Sequence, residues 1–186
     1  MSNKYTYQTL RDTNTDCVIK LTGTFDGTSN ELNVSRISAN TLYGALATNG
    51  FPVANSQGGS ANTTLKYYDL QLTGLKYYVN FPVSGSLGSV EIFWNGGGAS
   101  AAAQYANSAT IVHVNSQGDF GNGEQLPSIP NNSVGGNGDI GVYTQGATSN
   151  SAYTLIVTVR KGNDTYQRGQ LNDPAAFNYG AYKITP

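Results

Sequence analysis

The feature that most constrains the fold is an alternation of apolar and polar residues with a period of two, which recurs along the chain. It is clearest at 152–161, where every second residue is apolar and the residues between them are mostly polar. A period of two places successive side chains on opposite faces, which is the pattern of a half-buried β-strand. The apolar face of this segment consists of Tyr153, Leu155, Val157 and Val159.

Similar segments recur along the sequence and are separated by turns rich in Gly, Asn and Ser. About eight to ten short strands with this spacing are typical of a β-sandwich. We therefore expect an all-β fold, a jelly-roll-like β-sandwich with one or two short helices. Residues 1–186 are expected to form one domain, with an N-terminal arm at 1–7 and a C-terminal tail at 172–186.

Two alternating segments that flank Thr73-Gly74 predict a β-hairpin. With a two-residue turn at this dipeptide, apolar residues face apolar residues across the pair. A three-residue turn would place Leu72 opposite Lys76 and mix the two faces. The predicted facing pairs are Leu72 with Leu75, Leu70 with Tyr77, and Tyr68 with Val79.

A third strand at 90–94 also has one apolar face, which turns Trp94 toward the core. This register leaves Tyr67, Tyr78 and Phe93 on the opposite faces of their strands. Outward aromatic rings can stack on sugars or form a protein contact. They can also lie beneath another part of the same chain, and a covered or contact position is favoured because exposed aromatic patches are uncommon on monomers.

The helical signals are short. Residues 40–49 change to helical spacing, with Asn40 as a cap and Asn49-Gly50 as a stop, which predicts a helix of about two turns. The alanine-rich segment 99–109 favours a helix but has no apolar stripe, so we expect a loop with one helical turn. Residues 116–138 form the longest irregular region, and loops of such length are usually functional or interface-forming.

Charged residues make up 11% of the chain, whereas about 25% is usual in soluble domains. The net charge of −1 gives no electrostatic footprint for nucleic acid or an anionic membrane. No apolar run approaches the ~20 residues of a membrane-spanning helix, and the N-terminus lacks the apolar core of a secretion signal. We therefore expect a protein made in a cytoplasm, with no nucleic-acid partner and no membrane partner.

Residues that could carry chemistry are few and scattered. Cys17 is the single cysteine and His113 the single histidine, so the sequence indicates no disulfide, no cysteine metal cluster and no supported catalytic set. Asp119 and Glu124 lie in a glycine-rich loop that lacks the ligand spacing of a calcium loop. Glu91 is interpreted as a solvent-facing residue of a half-buried strand. We therefore expect a non-enzymatic protein without catalytic residues, cofactor or metal.

Several short strings, placed at turns and strand ends, resemble the small virion structural proteins of tailed bacteriophages, especially those of marine cyanobacteria. The resemblance spans most of the chain, and none of its strings has an assigned activity. The strings lie at 4–8, 11–13, 18–27, 93–96, 127–132, 138–141, 159–161 and 173–178.

The resemblance implies a capsid decoration or cement protein on the virion surface, made in the host cytoplasm, with the major capsid protein as partner and a dimer or trimer as its own assembly. A neck or tail-fibre component and a lectin-like module that binds a surface glycan are the alternatives. A glycan-degrading enzyme would need an acid pair that the sequence does not indicate. The candidate interface residues are Tyr5, Tyr7, Tyr67, Tyr78, Phe93, Phe120 and Phe177.

Overall fold

The computed structural model describes residues 3–27, 30–32, 34–45, 68–82, 88–98, 100–120, 129–130, 133, 136 and 138–162. The strands in these residues are β1 (Lys4–Asp12), β2 (Asp16–Thr24), β3 (Val34–Ile37), β4 (Leu70–Asn80), β5 (Ser89–Trp94), β6 (Ala109–Val114), β7 (Gln117–Phe120), β8 (Ile129–Pro130), β9 (Ile140–Gln145) and β10 (Ala152–Lys161). Sheet I has the order β1-β2-β10-β4-β7, with β8 also paired to β4, and sheet II has the order β3-β9-β5-β6. Neighbouring strands are antiparallel in both sheets.

The strand pairing is nested in the way that defines a jelly roll. From β2 onward, β2 pairs with β10, β3 with β9, β4 with β7, and β5 with β6. This is one long antiparallel ribbon, and the additional pairs β10 with β4 and β9 with β5 wrap it into two sheets. The expected all-β, jelly-roll-like sandwich is confirmed, and β1 is an extra strand at one edge of sheet I.

The hydrophobic core lies between the two sheets and is a single cluster. In β10 the predicted inward residues Tyr153, Leu155, Val157 and Val159 are all buried, because the alternation places them on the face that sheet II covers. Trp94 comes from sheet II and is fully buried in the same cluster. The predicted inward faces of β10 and β5 are therefore confirmed.

The hairpin predicted at Thr73-Gly74 is wrong, because β4 runs through this dipeptide without reversing. Along β10, Thr158 is opposite Gly74 and the next residue, Val159, is opposite Leu72, so Thr73 is the extra residue of a β-bulge. In a regular strand, residues an odd number of positions apart lie on opposite faces. One extra residue between them puts them on the same face, and a two-residue turn would do the same. Leu72 and Leu75 consequently share the core face, as the sequence predicts, but they belong to one strand.

One helical prediction is wrong over its first residues and one is confirmed. At 39–41 the chain forms one turn of 3-10 helix, and Leu42 is already extended with φ −71° and ψ 147°, so no two-turn α-helix begins at Asn40. Residues 46–49 of that prediction lie outside the described part of the chain. The single helical turn predicted within 99–109 is present as α1 (Ala101–Ala106), which is capped by the Ser100 hydroxyl.

The irregular region predicted at 116–138 begins as strand. Its residues 117–120 form β7, which pairs with β4 at the edge of sheet I. So short and polar a segment has no alternation from which the sequence could predict a strand. The N-terminal arm predicted at 1–7 is likewise wrong from Lys4 onward, since Lys4 is already paired with Thr24. The tail predicted at 172–186 lies outside the described residues.

Cys17 is expected to be unreactive in the folded protein. Its side chain is fully buried on the core face of β2, and burial raises the pKa of its thiol to about 12. Because the thiolate is the reactive form, a rise from the ordinary value of 9.0 lowers the thiolate fraction at neutral pH about 1000-fold. Labelling with a thiol reagent should be undetectable in the native state and reach one equivalent in urea. Rapid native labelling would contradict the burial.

Candidate interaction surface

Strand β1 is an exposed edge of the sandwich. Tyr7 is paired with Leu21 and lies on the same face of sheet I, yet Leu21 is 2% exposed and Tyr7 is 47% exposed. The difference shows that the cover on this face of sheet I ends at Tyr7, whereas Tyr5, two residues earlier in β1, is partly buried against the core. The inner side of β1 therefore presents the Tyr7 ring to solvent.

A bulge adds a second apolar side chain to this edge. Thr9 pairs with Ile19 and Arg11 pairs with Val18, so Leu10 is the unpaired extra residue. Leu10 is 48% exposed. Bulges at sheet edges redirect side chains and increase the local twist. Here the bulge leaves a leucine exposed three residues after Tyr7.

Near one end of β1, the ring of Tyr5 contacts the arginine of a largely buried ion pair. The guanidinium of Arg36, on β3, donates from Nε to Glu31 Oε1 at 2.6 Å, and a second nitrogen, Nη2, bonds the same oxygen. Tyr153 donates its hydroxyl to Glu31 Oε2 at 2.7 Å. The Arg36 guanidinium also lies 4.0 Å from the centroid of the Tyr5 ring. The cluster joins the edge strands of both sheets, since Tyr5 belongs to β1 and Arg36 to β3.

Burial raises the pKa values of two groups in this cluster, Glu31 and Tyr153. The carboxylate of Glu31 is almost fully buried, and burial raises its pKa above the ordinary value even though the bonds from Tyr153 and Arg36 favour the charged form. The pKa of Tyr153 is raised as well, by burial and then by the neighbouring Glu31 charge. Tyr153 and Arg36 therefore both favour the ionised form of Glu31 and oppose the effect of burial on its pKa.

The other end of β1 is held by a second buried ion pair. Lys161 is the last residue of β10 and is fully buried. Its ammonium pairs with Asp12 and donates to the carbonyl oxygens of Thr13 at 2.8 Å and Tyr43 at 2.7 Å. Asp12 Oδ2 in turn accepts from the backbone N–H of Tyr43 at 2.8 Å. These bonds fix the end of β1 to β10 and to the segment that follows the 3-10 turn.

Two further large exposed apolar side chains are neighbours of the residues that contact β1. Leu32 is next to Glu31 in the chain and is 63% exposed, and Tyr43, at the Lys161 end, is 45% exposed. We call Tyr7, Leu10, Leu32 and Tyr43 the β1–β3 edge surface. The strand that carries Tyr7 and Leu10 is anchored at Asp12 by the buried Lys161, so these two apolar side chains are presented on an ordered edge.

The sequence-predicted interface residues do not form one surface. Tyr5 is partly buried under Arg36, and Phe120 stacks on Tyr77 with ring centroids 5.6 Å apart, so both are largely engaged within the chain. Tyr7 is exposed on the β1–β3 edge surface, and Tyr78 is 52% exposed on the outer face of sheet I. Tyr67 and Phe177 lie outside the described residues.

Phe93 is excluded as an interface residue because it is fully buried within the chain. It lies on the outer face of sheet II, as its parity predicts, but Tyr105 of α1 packs edge-on against it at 6.0 Å. Gly141 is its partner on β9, and a Cβ atom there would overlap the Phe93 ring. The favoured alternative, an outward aromatic covered by another part of the chain, applies to this residue.

Glu91 is also covered, so its predicted solvent-facing position is wrong. It is 3% exposed. Tyr105 donates to Oε2 at 3.0 Å and Thr110 to Oε1 at 2.5 Å, and the exposed His113 is 3.8 Å from Oε1. Burial and Glu91 raise the pKa of Tyr105, which keeps its hydroxyl a donor. Both carboxylate oxygens accept hydrogen bonds, so this cluster anchors α1 to sheet II.

Other chemistry is sparse in the ranges given above. They contain no group of three or more His, Cys, Asp and Glu side chains placed to hold a metal ion. Asp119 pairs with Lys76 at 2.9 Å on the surface of sheet I. None of the described helices is long and apolar enough to cross a membrane.

Sequence reasoning missed the residues that anchor the edge. Lys161 has the parity of Val159, so alternation alone places it on the core face, and that signal was available. Glu31 and Arg36 give no such signal, because Glu31 precedes β3 outside any strand and their pairing is tertiary. The bulge at Leu10 is visible only in the register with β2.

Comparisons with known proteins place the chain in no family. No protein-family model matches it, and no curated protein matches it. One similar solved structure is a chain from the single-particle structure of maize chlorotic mottle virus. The similarity covers 93% of this chain and 100% of that chain, with 11% sequence identity and a TM-score of 0.24. A similarity of this size supports no conclusion about fold or function.

Proposed function

We propose that this chain is a non-enzymatic virion structural protein, a capsid decoration or cement protein that binds the outer shell through the β1–β3 edge surface. Its partners are the major capsid protein and further copies of itself, in a dimer or trimer. The observation that carries the proposal is the exposure of Tyr7 and Leu10 on a strand that is anchored at Asp12 by a buried ion pair and contacts Arg36 through Tyr5. The phage resemblance of the sequence supports the same class of function.

An interface of this kind needs little reorganisation on binding. The backbone of β1 is paired with β2 along its length, Asp12 at one end pairs with Lys161, and Tyr5 near the other end contacts Arg36. A backbone that is already ordered loses little conformational entropy on binding, so more of the burial energy becomes affinity. The exposed aromatic ring of Tyr7 is a residue type enriched at the energetic centre of interfaces.

The proposed action is mechanical. A subunit that contacts two neighbouring shell proteins adds apolar interface to their boundary, and that interface must be lost before the boundary opens. A protein that binds the assembled shell but not the separate shell subunits stabilises the assembled state by mass action. The chain carries a net charge of −1, so this attachment depends on apolar contact and should change little with salt.

Replacing Tyr7 and Leu10 together by alanine should weaken binding to shells by about 10-fold or more. The double substitution removes two large exposed side chains from the proposed contact. Binding is measured by co-sedimentation of purified protein with capsids that lack it, and by the temperature at which decorated capsids release their contents. Neither side chain is buried, so the variant should unfold at the wild-type urea concentration.

Tyr78→Ala is the matched control, since Tyr78 is a similarly exposed tyrosine on the opposite face of sheet I. It should bind shells as the wild type does. Equal shell binding by the Tyr7–Leu10 variant would remove the edge from the interface. Failure to find the protein in purified particles by mass spectrometry would remove the virion role. Its location at the neck or tail in a particle map would support that alternative instead.

A further inference from the structure

The outer face of sheet I carries a continuous row of uncharged polar side chains across five strands. The strand registers align Thr6 of β1, Thr22 of β2, Thr154 of β10, Tyr78 of β4 and Gln117 of β7. Neighbouring members of such a row are about 4.8 Å apart, because that is the spacing of paired strands. The hydroxyls of Thr6 and Thr22 are hydrogen-bonded to each other. The row is therefore an ordered platform of hydroxyl and amide groups.

Tyr78 is the aromatic member of this row and lies between Thr154 and Gln117. It is 52% exposed, and its neighbours on β10 are small, with Thr154 directly opposite and Ala152 opposite Asn80. β4 is paired with β10 on one side and with β7 on the other, so the backbone beneath the ring is held on both sides. The ring is therefore half-exposed on an ordered strand beside short side chains of β10.

The charges on this face lie outside the row. Lys76 and Asp119 form an ion pair with each other one step along the strands, at 2.9 Å. Lys20 is in the same second row as Lys76, opposite Ile156. A phosphate backbone needs several cationic contacts, and a protein interface has an apolar centre. Hydroxyls, carboxamides and one open aromatic ring suit a ligand that is uncharged and rich in hydroxyl groups.

We propose that Tyr78, with Thr154 and Gln117 beside it and Asn80 on the next row, forms a binding site for a neutral saccharide. One sugar ring stacks its apolar face on Tyr78, since aromatic rings provide flat apolar area at low cost in side-chain entropy. The amide groups of Gln117 and Asn80 can both donate and accept, which matches sugar hydroxyls. The site lies on the face of sheet I opposite the Tyr7 ring, and it is independent of the proposed capsid role.

The test begins with a broad array of neutral and acidic glycans, followed by saturation-transfer NMR titration with neutral tetrasaccharides of glucose, mannose and N-acetylglucosamine. The wild-type chain should bind at least one neutral glycan. Tyr78→Ala should weaken that binding roughly 10-fold or more, because loss of the stacking ring removes more than 1.4 kcal/mol. Tyr7→Ala, which removes a tyrosine of similar exposure from the other face, should bind with unchanged affinity.

Each other outcome overturns the saccharide site. No binding across the neutral glycans, binding confined to acidic glycans, or equal binding by Tyr78→Ala would each do so. Loss of shell binding by Tyr78→Ala would show that this face contacts protein. Loss of glycan binding by Tyr7→Ala alone would place any sugar at the edge instead. The urea unfolding curve of Tyr78→Ala should match the wild type, because the side chain is exposed.

Discussion

Lys161→Met is expected to lower the free energy of unfolding by about 3–5 kcal/mol at pH 7, because it leaves the carboxylate of Asp12 without its buried counter-charge. In a chain of this length the melting temperature should fall by on the order of 10 °C. Methionine fills a similar volume, so the cost comes from the charge and its hydrogen bonds. The change is measured by urea unfolding followed by tryptophan fluorescence, since Trp94 is in the core.

The reason for so large an effect is that the Lys161 ammonium is fully used. A lysine ammonium has three N–H donors, and it meets Asp12 and the carbonyl oxygens of Thr13 and Tyr43. Its side chain is fully buried, so water cannot replace the lost donors at that position. The substitution would also release the end of β1 from β10, and the exposed Leu10 lies only two residues from Asp12.

Lys76→Met is the matched control, because it removes a lysine from an ion pair of the same type that is 63% exposed. Exposed pairs contribute about 0–1 kcal/mol, so this variant should unfold close to the wild type. Adding Asp12→Asn to Lys161→Met should restore part of the loss, since the orphaned charge disappears. A Lys161→Met protein as stable as the control would show that Asp12 is solvated.

The periodic parts of the fold were predictable because the alternation of apolar and polar residues assigns each side chain to a face of its strand, whatever loop or bulge follows. Alternation assigns Val159 and Leu155 to the core whatever strands lie beside them, and it assigns Leu72 and Leu75 to one face whether a turn or a bulge separates them. The alternation cannot distinguish the turn from the bulge, because both place Leu72 and Leu75 on the same face. Pairing with β10 decides between them, and that pairing joins residues about eighty positions apart.

The candidate surfaces were less predictable for a related reason. Parity gives the face of a side chain but not what covers that face. Phe93 and Tyr78 both have outward parity, yet α1 covers Phe93 and nothing described covers Tyr78 to the same degree. Tyr7 has inward parity and is exposed, whereas Tyr5 on the same side of β1 is partly buried against the core. Exposure therefore depends on what covers each side chain, which is a property of the assembled sandwich.

Arg36→Met should be the second most damaging change, with a cost of about 3 kcal/mol at pH 7 and a smaller cost at pH 5. Burial already raises the pKa of Glu31, and the Arg36 charge opposes that rise. Without Arg36 the folded-state pKa rises further. Between the unfolded and folded pKa values the native state binds more protons, so stability falls as pH increases through that window. Urea unfolding at the two pH values measures the difference.

The pH-dependent part should vanish when Arg36→Met is combined with Glu31→Gln, because residue 31 then no longer titrates. Arg11→Met is the control for losing an arginine, since Arg11 pairs with Asp16 at 2.8 Å while 58% exposed, and it should cost about 1 kcal/mol or less. An equal cost of Arg36→Met at both pH values would mean that its main contribution is the contact with Tyr5. In that case the edge of the two sheets would be joined by stacking rather than by buried charge, and shell binding should weaken in proportion to the loss of that contact.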